Sequence, residues 1–510
     1  MAALLDLALV GVVQYGSQLA EAYAVPAAVA QRLGPFVAPA PPLAGAPAPA
    51  GAPATAGLDL LQALLVLVHE AQRRAIPPRP RERHPATGPR ADVDPRVAPS
   101  YWSILAPSGT TRPAGSPYRQ ARLTPIPPML GQEERERLAG LIGRSPDFVT
   151  FVLHVAFTLE IVDTTDRLTV QPTLVQTLCD LPPGIRRQMY QATLAAPQYL
   201  GELRQLFDRD GSLELHCYLG YFGQTSPLLN QAAHLRNLLV RIVTKLPPNV
   251  WYDYAQFRER LRRWAPFQSL PLSFAQIGAG GRPLWWIADS AQPEQPLDLQ
   301  APDGWQRLYG RFVDAVFAGV LAWIGLIDLD AGATGLRAFR VRPEEEAAGT
   351  EAARLLPEAD MTVQVPAGPA APGVYAILER AGDLVLASPQ RLRYRLTPQR
   401  TRDLFDTGVD GPTLRQLLEQ WCGRPLPAAM RTAIDRWWAG YGRVRLYDDL
   451  TLIELADDYL LSELLRTTSL AKSIIHTFSP RLIAVEPQAV DALMAELTRA
   501  GHLPSVAEGR

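Results

Sequence analysis

PDFVTFVLHVAFTLEIVDTTDRLTVQP, from Pro146 to Pro172, and YGRFVDAVFAGVLAWIGLIDLDAGATGLRAFRVRP, from Tyr309 to Pro343, show the same order of patterns. In each, a Phe-Val pair opens a run with apolar residues at helical spacing. Ile161 or Ile327 begins the exit, an acidic turn follows, and Leu168 or Leu336 starts a returning strand that ends at a proline. A third stretch, LPAAMRTAIDRWWAGYGRVRLYDDLTLIEL, keeps the order with different spacing. It predicts a helix stopped by Gly440 and Gly442, then strands Val444 to Tyr447 and Leu450 to Leu455 across an Asp448-Asp449 turn.

A helix followed by a hairpin is the plan of a winged-helix unit, so the chain is expected to be α+β and predominantly helical, with winged-helix-like units in tandem. Between the first two copies, NVWYDYAQFRERLRRWAPF (Asn249 to Phe267) predicts a further helix. Trp251, Tyr254, Phe257, Leu261 and Trp264 fall on one face of it, a stripe more often used for core than for stacking on bases.

Towards the N-terminus the composition changes. GPFVAPAPPLAGAPAPAGAPATAG, from Gly34, is Ala/Pro/Gly low complexity that cannot bury enough apolar surface to offset its ordering entropy, and it reads as a linker. LDLLQALLVLVHEAQRRA (Leu58 to Ala75) predicts an amphipathic helix, followed by a second proline-rich, charged stretch. The opening MAALLDLALVGVVQYG lacks a basic start and carries Asp6 inside its apolar run, so it is read as a buried helix and not as a signal peptide. The expected organisation is 1–100, two helices on flexible chain; 101–300, a winged-helix-like helical region; 301–359, a second winged-helix-like unit; and 360–510, a separate C-terminal domain.

The 510 residues exceed what one hydrophobic core organises, 47% of them are hydrophobic and 20% charged, and no stretch is long and apolar enough to be a membrane span. Cys179, Cys217 and Cys422 lie far apart with no C-x-x-C spacing, which supports neither a disulfide framework nor a zinc knuckle; a reducing cytoplasm is expected. Of 50 basic side chains only Lys245 and Lys472 are lysines. The skew to arginine is read as the mark of a GC-rich genome, with bidentate phosphate contact as the second reading.

Catalytic motifs are missing from the sequence. A nucleoside-triphosphate motor needs G-x-x-x-x-G-K-[ST], and neither lysine sits in it: Leu246 follows Lys245, and no glycine precedes Lys472-Ser473 from Ser462 onward. G-x-S-x-G and H-E-x-x-H do not occur, and GAGG at Gly278 to Gly281 leads into Arg282-Pro283 and not into a helix. His216 and Cys217 are adjacent on an apparent strand and would point to opposite faces. Asp448-Asp449 and Asp457-Asp458 read as turn and helix N-terminal residues. No catalytic residue, cofactor or metal is expected.

The stretch from about Asp360 to Val506 carries a family resemblance. MTVQV (Met361 to Val365) resembles an opening strand. RLRYRLTPQRTRDLFDTGVDGPTLRQLLEQWCGRPLPAAMRTAIDRWWAGYGRVRL follows the order of a Y-x-L-T strand end, a leucine-rich helix, an L-P joint and a helix ending in G-R-V-R. LLSELLRTTSLAKSIIHTFSPRLIAVEPQAVDALMAELTRAGHLPSV resembles a closing helix, L-I-A-V strand and helix ending in G-x-L-P. Together these are similar to the helicase-associated, N-terminal-like domain of XPB-type DNA helicases. The resemblance implies an α/β domain that works beside a motor, in repair or transcription, and transfers no catalytic residue. One departure is that APGVYAILERAGDLVLAS is short where the family has a longer sheet segment, which leaves the first sheet undefined.

On the residues alone, the best electropositive stretch is Arg391, Arg393, Arg395, Arg400 and Arg402. In RLRYRL the alternate arginines share one face and form a row that could follow phosphates, and Thr397-Pro398 predicts a capped helix whose amides lie beside it. Asp403 and Asp406 are the acids expected to compete for those guanidiniums. A second candidate is Arg443 with Arg445 on the expected third wing. The expected partner is the DNA phosphate backbone, with a separate helicase or another protein as a further partner. A scaffold that binds only protein is the competing reading.

Overall fold

A computed structural model describes residues 11–15, 20–24, 45, 57–74, 76, 105–107, 118–123, 130–164, 167–196, 199, 201–208, 212–218, 226–263, 274–276, 283–292, 295–299, 301–332, 335–343, 354–443 and 451–505. It is mixed α/β, with many helices and small antiparallel sheets. Gly11–Tyr15 pairs antiparallel with Ala20–Ala24. The helix expected there is therefore corrected at these residues: Val12, Val13 and Tyr15 suit an extended chain. Both proline-rich stretches fall almost wholly outside the described residues.

Helix α1 (Leu60–Arg73) opens on a capping box in which Asp59 accepts from the Gln62 amide and Gln62 returns the bond to the Asp59 amide. Leu60 to Val68 are buried without a break, so this part of α1 is enclosed on all sides where an amphipathic helix was expected, and only its last turn reaches solvent. Helices α2 (Gln132–Ile142) and α3 (Pro146–Thr158) follow, the latter with Ser145 accepting from the Phe148 amide and Pro146 in its first turn. After α3 come β1 (Val162–Thr164) and β2 (Leu168–Val170), paired as an antiparallel hairpin, and then α4 (Pro172–Asp180).

The segment expected to be one helix from Asn249 is a strand and then a helix: β3 (Trp251–Asp253), then α5 (Tyr254–Arg263). Asn249 takes a left-handed backbone (φ 61°) and its amide donates to Val341 O, which turns the chain into register with a neighbouring strand. A helical run over 302–321 (α6) includes two π-helical stretches, Gln306–Gly310 and Phe317–Leu321. It leads into the hairpin β4 (Ile327–Gly332) and β5 (Gly335–Val341), and β3 joins the outer side of β5. Phe317, Phe339, Tyr254 and Phe257 close this core with ring centroids 5.0 to 6.5 Å apart, so the Tyr254–Phe257–Leu261 stripe is core. Helix-then-hairpin order is thus present both after Pro146 and after Tyr309. A five-stranded antiparallel sheet runs Leu105–Pro107, Tyr118–Leu123, Leu213–Tyr218, Pro283–Asp289, Phe274–Gln276 in spatial order.

From residue 355 the chain builds a four-stranded antiparallel sheet from β6 (Leu356–Pro357), β7 (Thr362–Pro366), β8 (Gly382–Ser388) and β9 (Arg391–Leu396), in the spatial order β6-β7-β9-β8. Helix α7 (Val374–Ala381) connects β7 to β8. The short APGVYAILERAGDLVLAS stretch therefore supplies one helix and an edge strand. Helices α8 (Pro398–Asp406), α9 (Gly411–Cys422) and α10 (Ala428–Gly440) follow.

The chain divides into two compact units, Met1–Trp437 and Trp438–Arg510, so the break falls inside the segment read as one domain from 360. The second unit holds β10 (Thr451–Glu454), α11 (Leu460–Thr467), β11 (Ile474–Ser479), β12 (Leu482–Val485) and α12 (Val490–Arg499), with sheet order β10-β12-β11. Leu455, Leu464, Leu470, Ile483, Val485, Leu493 and Leu497 form its core. Residues 444–450, with the expected strand Val444 to Tyr447 and the Asp448-Asp449 turn, lie outside the described residues. Among the described residues no helix is long and apolar enough to cross a membrane.

Candidate nucleic-acid interface

Strand β9 alternates as its sequence requires. Leu392, Tyr394 and Leu396 are buried, while Arg391 and Arg395 are exposed and Arg393 is half-buried, so the three guanidiniums share the outer face. Register places Arg391, Arg393 and Arg395 opposite Pro366, Gln364 and Thr362 on one side, and opposite Ser388, Leu386 and Asp383 on the other.

The same face carries acids that the sequence reading did not single out. Arg393 is ion-paired with Glu358 and lies 3.2 Å from Asp360. Thr362 Oγ1 stands 2.7 Å from Glu358 Oε2 and 2.5 Å from Asp360 Oδ1, and the Gln364 amide donates to Glu358. Bonding from Thr362, then from Gln364 and Arg393, holds the Glu358 carboxyl below the usual range; Thr362 does the same for Asp360, so both are anionic at neutral pH. Arg391 donates to Gln364 Oε1 at 2.5 Å. The face is therefore a mixed-charge strip, in which Arg391 and Arg395 are the guanidiniums without a carboxylate at ion-pair distance among the described residues.

Arg400 lies beyond Asp383, 3.4 Å from its carboxylate, and donates to Glu379 O at 2.8 Å. Thr397 caps α8 by accepting from the Arg400 amide, as its position before Pro398 requires. Arg402 is exposed and meets Asp403 and Asp406 only loosely, at 3.8 and 4.0 Å. The acids expected to compete for the row thus stand loosely beside Arg402, while Glu358 and Asp360 meet Arg393 and Asp383 meets Arg400. Arg443 is exposed, in the second unit, and Arg445 lies outside the described residues.

What fixes β9 from behind is a buried polar joint to α1, some 300 residues earlier in the chain. The Tyr394 hydroxyl donates to Glu379 Oε1 at 2.6 Å, and His69 Nε2 lies 3.0 and 3.1 Å from the two Glu379 oxygens. The Gln62 amide donates to Pro366 O (2.8 Å) and Tyr375 Oη (2.7 Å), while its oxygen accepts from the Gly368 amide (3.0 Å). Arg380 on α7 adds two contacts of 2.7 Å to Asp180 on α4. Each buried polar group here has partners, which is the condition for a polar joint to hold. Sequence reasoning passed over these residues; Gln62 inside the apolar run Leu60 to Val68, with His69 just after it, was the available signal.

The other polar candidates have structural partners. His216 stacks on Trp286 (centroids 5.2 Å apart) and lies 3.2 Å from Glu214. Asp457 accepts from the Tyr459 and Leu460 amides at the start of α11. Among the described residues no group of three or more His, Cys, Asp or Glu side chains could hold a metal ion.

No curated protein is similar enough to the chain to match it. Residues 355–478, which include the whole β6-β7-β9-β8 sheet and its arginine face, match the family described as helicase conserved C-terminal domain, and this segment is helicase-related.

Proposed function

We propose that the protein is a DNA-associated accessory factor without a motor of its own, which uses the outer face of β9 to engage the phosphate backbone beside a separate helicase in repair or transcription. The observation that carries this reading is the row Arg391–Arg393–Arg395 on the outer face of a sheet inside the helicase-related segment, with Arg391 and Arg395 exposed. The lack of a phosphate-binding loop in the sequence supports an accessory role. The helix-hairpin order of α3–β1–β2 and α6–β4–β5 supports winged-helix-like units, and the 355–478 match supports an XPB-like domain among them.

Phosphate contact predicts binding that weakens steeply with salt. Binding of labelled duplex and single-stranded DNA across a salt series, with wild type and an R391A/R395A variant, tests it. The variant is expected to bind more weakly and to lower the log K against log salt slope by about two, roughly one for each phosphate no longer neutralised. Absence of binding at low salt, or an unchanged slope in the variant, would remove the phosphate reading.

A second reading, a protein-binding scaffold, draws on the second unit, where Leu452, Phe478 and Tyr459 are 53%, 54% and 86% exposed. A contiguous patch formed by these side chains would favour a polypeptide partner over phosphate.

A further inference from the structure

Helices α8, α9 and α10 are joined by short turns at 407–410 and 423–427. Gly408 (φ 94°) and Gly423 (φ 64°) occupy the left-handed region, which lets the chain reverse after α8 and after α9 without a Cβ penalty. Asp410 caps α9 by accepting from the Thr413 amide, and the Leu426 amide donates to Glu419 Oε1 at 3.2 Å, tying the second turn back to α9. Leu404, Phe405, Leu414, Leu418, Leu426, Met430, Ala433 and Ile434 are buried. Arg415 on α9 meets Asp435 on α10 at 3.1 Å. Two helices joined by a glycine turn and bridged by an ion pair have the element order of a helix-turn-helix unit.

Helix α10 turns Met430, Ala433 and Ile434 inward, which leaves Ala428, Arg431, Thr432, Asp435, Arg436 and Ala439 on its outer side. Asp435 is answered by Arg415, whereas Arg431 and Arg436 have no ion-pair partner among the described residues. This contrasts with Arg393, Arg380 and Arg340, each of which meets a carboxylate. Arginine matches guanine O6/N7 bidentately, threonine can bond several bases, and an alanine methyl packs on the thymine methyl. The major groove, about 12 Å wide, admits one helix.

We propose that α10 is the recognition helix of this unit and that Arg431, Thr432 and Arg436 contact base edges in the major groove of duplex DNA. The inference rests on the DNA-binding reading above and deepens it: β9 would hold the backbone, and α10 would supply preference for sequence. An acidic protein face is the rival occupant, and the experiment separates the two.

The full chain is used to select from a randomised duplex library. Wild type, R431A/R436A and R431K/R436K are then compared on the selected duplex and on random duplex, with thermal melts to verify folding. The alanine variant should lose about 10- to 100-fold on the selected duplex, as expected for one to two bidentate base contacts. The lysine variant should keep its affinity for random duplex and lose the preference, because a lysine keeps the charge without the planar fork. If wild type enriches no sequence, or both variants bind the selected duplex as wild type does while R391A/R395A weakens it, DNA binding stands and the role of α10 is refuted. If wild type binds no duplex at low salt, the DNA reading fails first. Unchanged DNA binding together with loss of an acidic protein partner in the alanine variant would reassign the stripe to that partner.

Discussion

Asp59→Asn is the most direct probe of how α1 is built into the fold. Asp59 starts the capping box of α1, and its carboxylate accepts from the Gln62 amide at 2.8 Å. Burial raises its pKa from 3.8 to about 6, against the opposing pull of the Gln62 amide bond and the Arg186 and Arg144 charges. A shift of about two units corresponds to roughly 3 kcal/mol between the two protonation states. The side chain keeps some access to solvent, so screening reduces this to about 1–2 kcal/mol. The sign follows from proton binding. Between pH 4 and 6 the folded state holds the proton more often than the unfolded state, so stability falls as pH rises through this window and stays lower above it. Asparagine keeps the capping oxygen and carries no charge. At pH 7.5 Asp59→Asn should therefore stabilise α1 by about 1–2 kcal/mol, and the gain should shrink towards zero near pH 4. A two-unit chain need not melt in one step, so hydrogen exchange of the α1 amides is a better measure than a global melt. Lower protection in the variant at pH 7.5, or the same difference at both pH values, would refute the reasoning, because the ionised carboxylate would then be a stabilising partner.

Two further substitutions test the packing and the proposed interface. Arg236 is fully buried, bidentate to Glu202 at 2.7 and 3.0 Å, and also donates to Leu194 O and Tyr199 O. Glu202→Ala leaves that charge buried without its counter-ion and should cost about 3–5 kcal/mol, measured by urea unfolding; a cost below about 1 kcal/mol would mean that the carbonyls suffice. On the β9 face, Glu358→Gln removes the acid paired with Arg393 while keeping its shape. Duplex affinity at low salt should rise roughly two- to five-fold as the local potential becomes more positive, and unchanged affinity would show that Arg393 does not face bound DNA.

Local patterns carried much of the fold. The helix-hairpin order after Phe148 and after Phe312, the alternation of RLRYRL, the Thr397 cap and the LIAV strand are period-2 or period-3.6 signals whose cause lies within a few residues. The misreadings share one feature, strand pairing that a helical periodicity did not show, long-range in one case and local in the other. Trp251 fits a helical stripe, yet it becomes a strand because β5 offers a free edge, with Arg340 as its register partner. Gly11–Tyr15 leaves a helical pattern for pairing with Ala20–Ala24.

At the candidate site, residue order alone was enough to tell which guanidiniums share a face, since alternation along a strand needs no partner to be known. The pattern G-x-x-x-x-G-K-[ST] does not occur in these 510 residues. Which of those charges are answered became legible only in the folded chain. Glu358, Asp360 and Asp383 reach the face through a turn and through pairing with β9, while Gln62 and His69 brace the sheet from about 300 residues away. Such contacts depend on chain topology, which residue spacing does not encode.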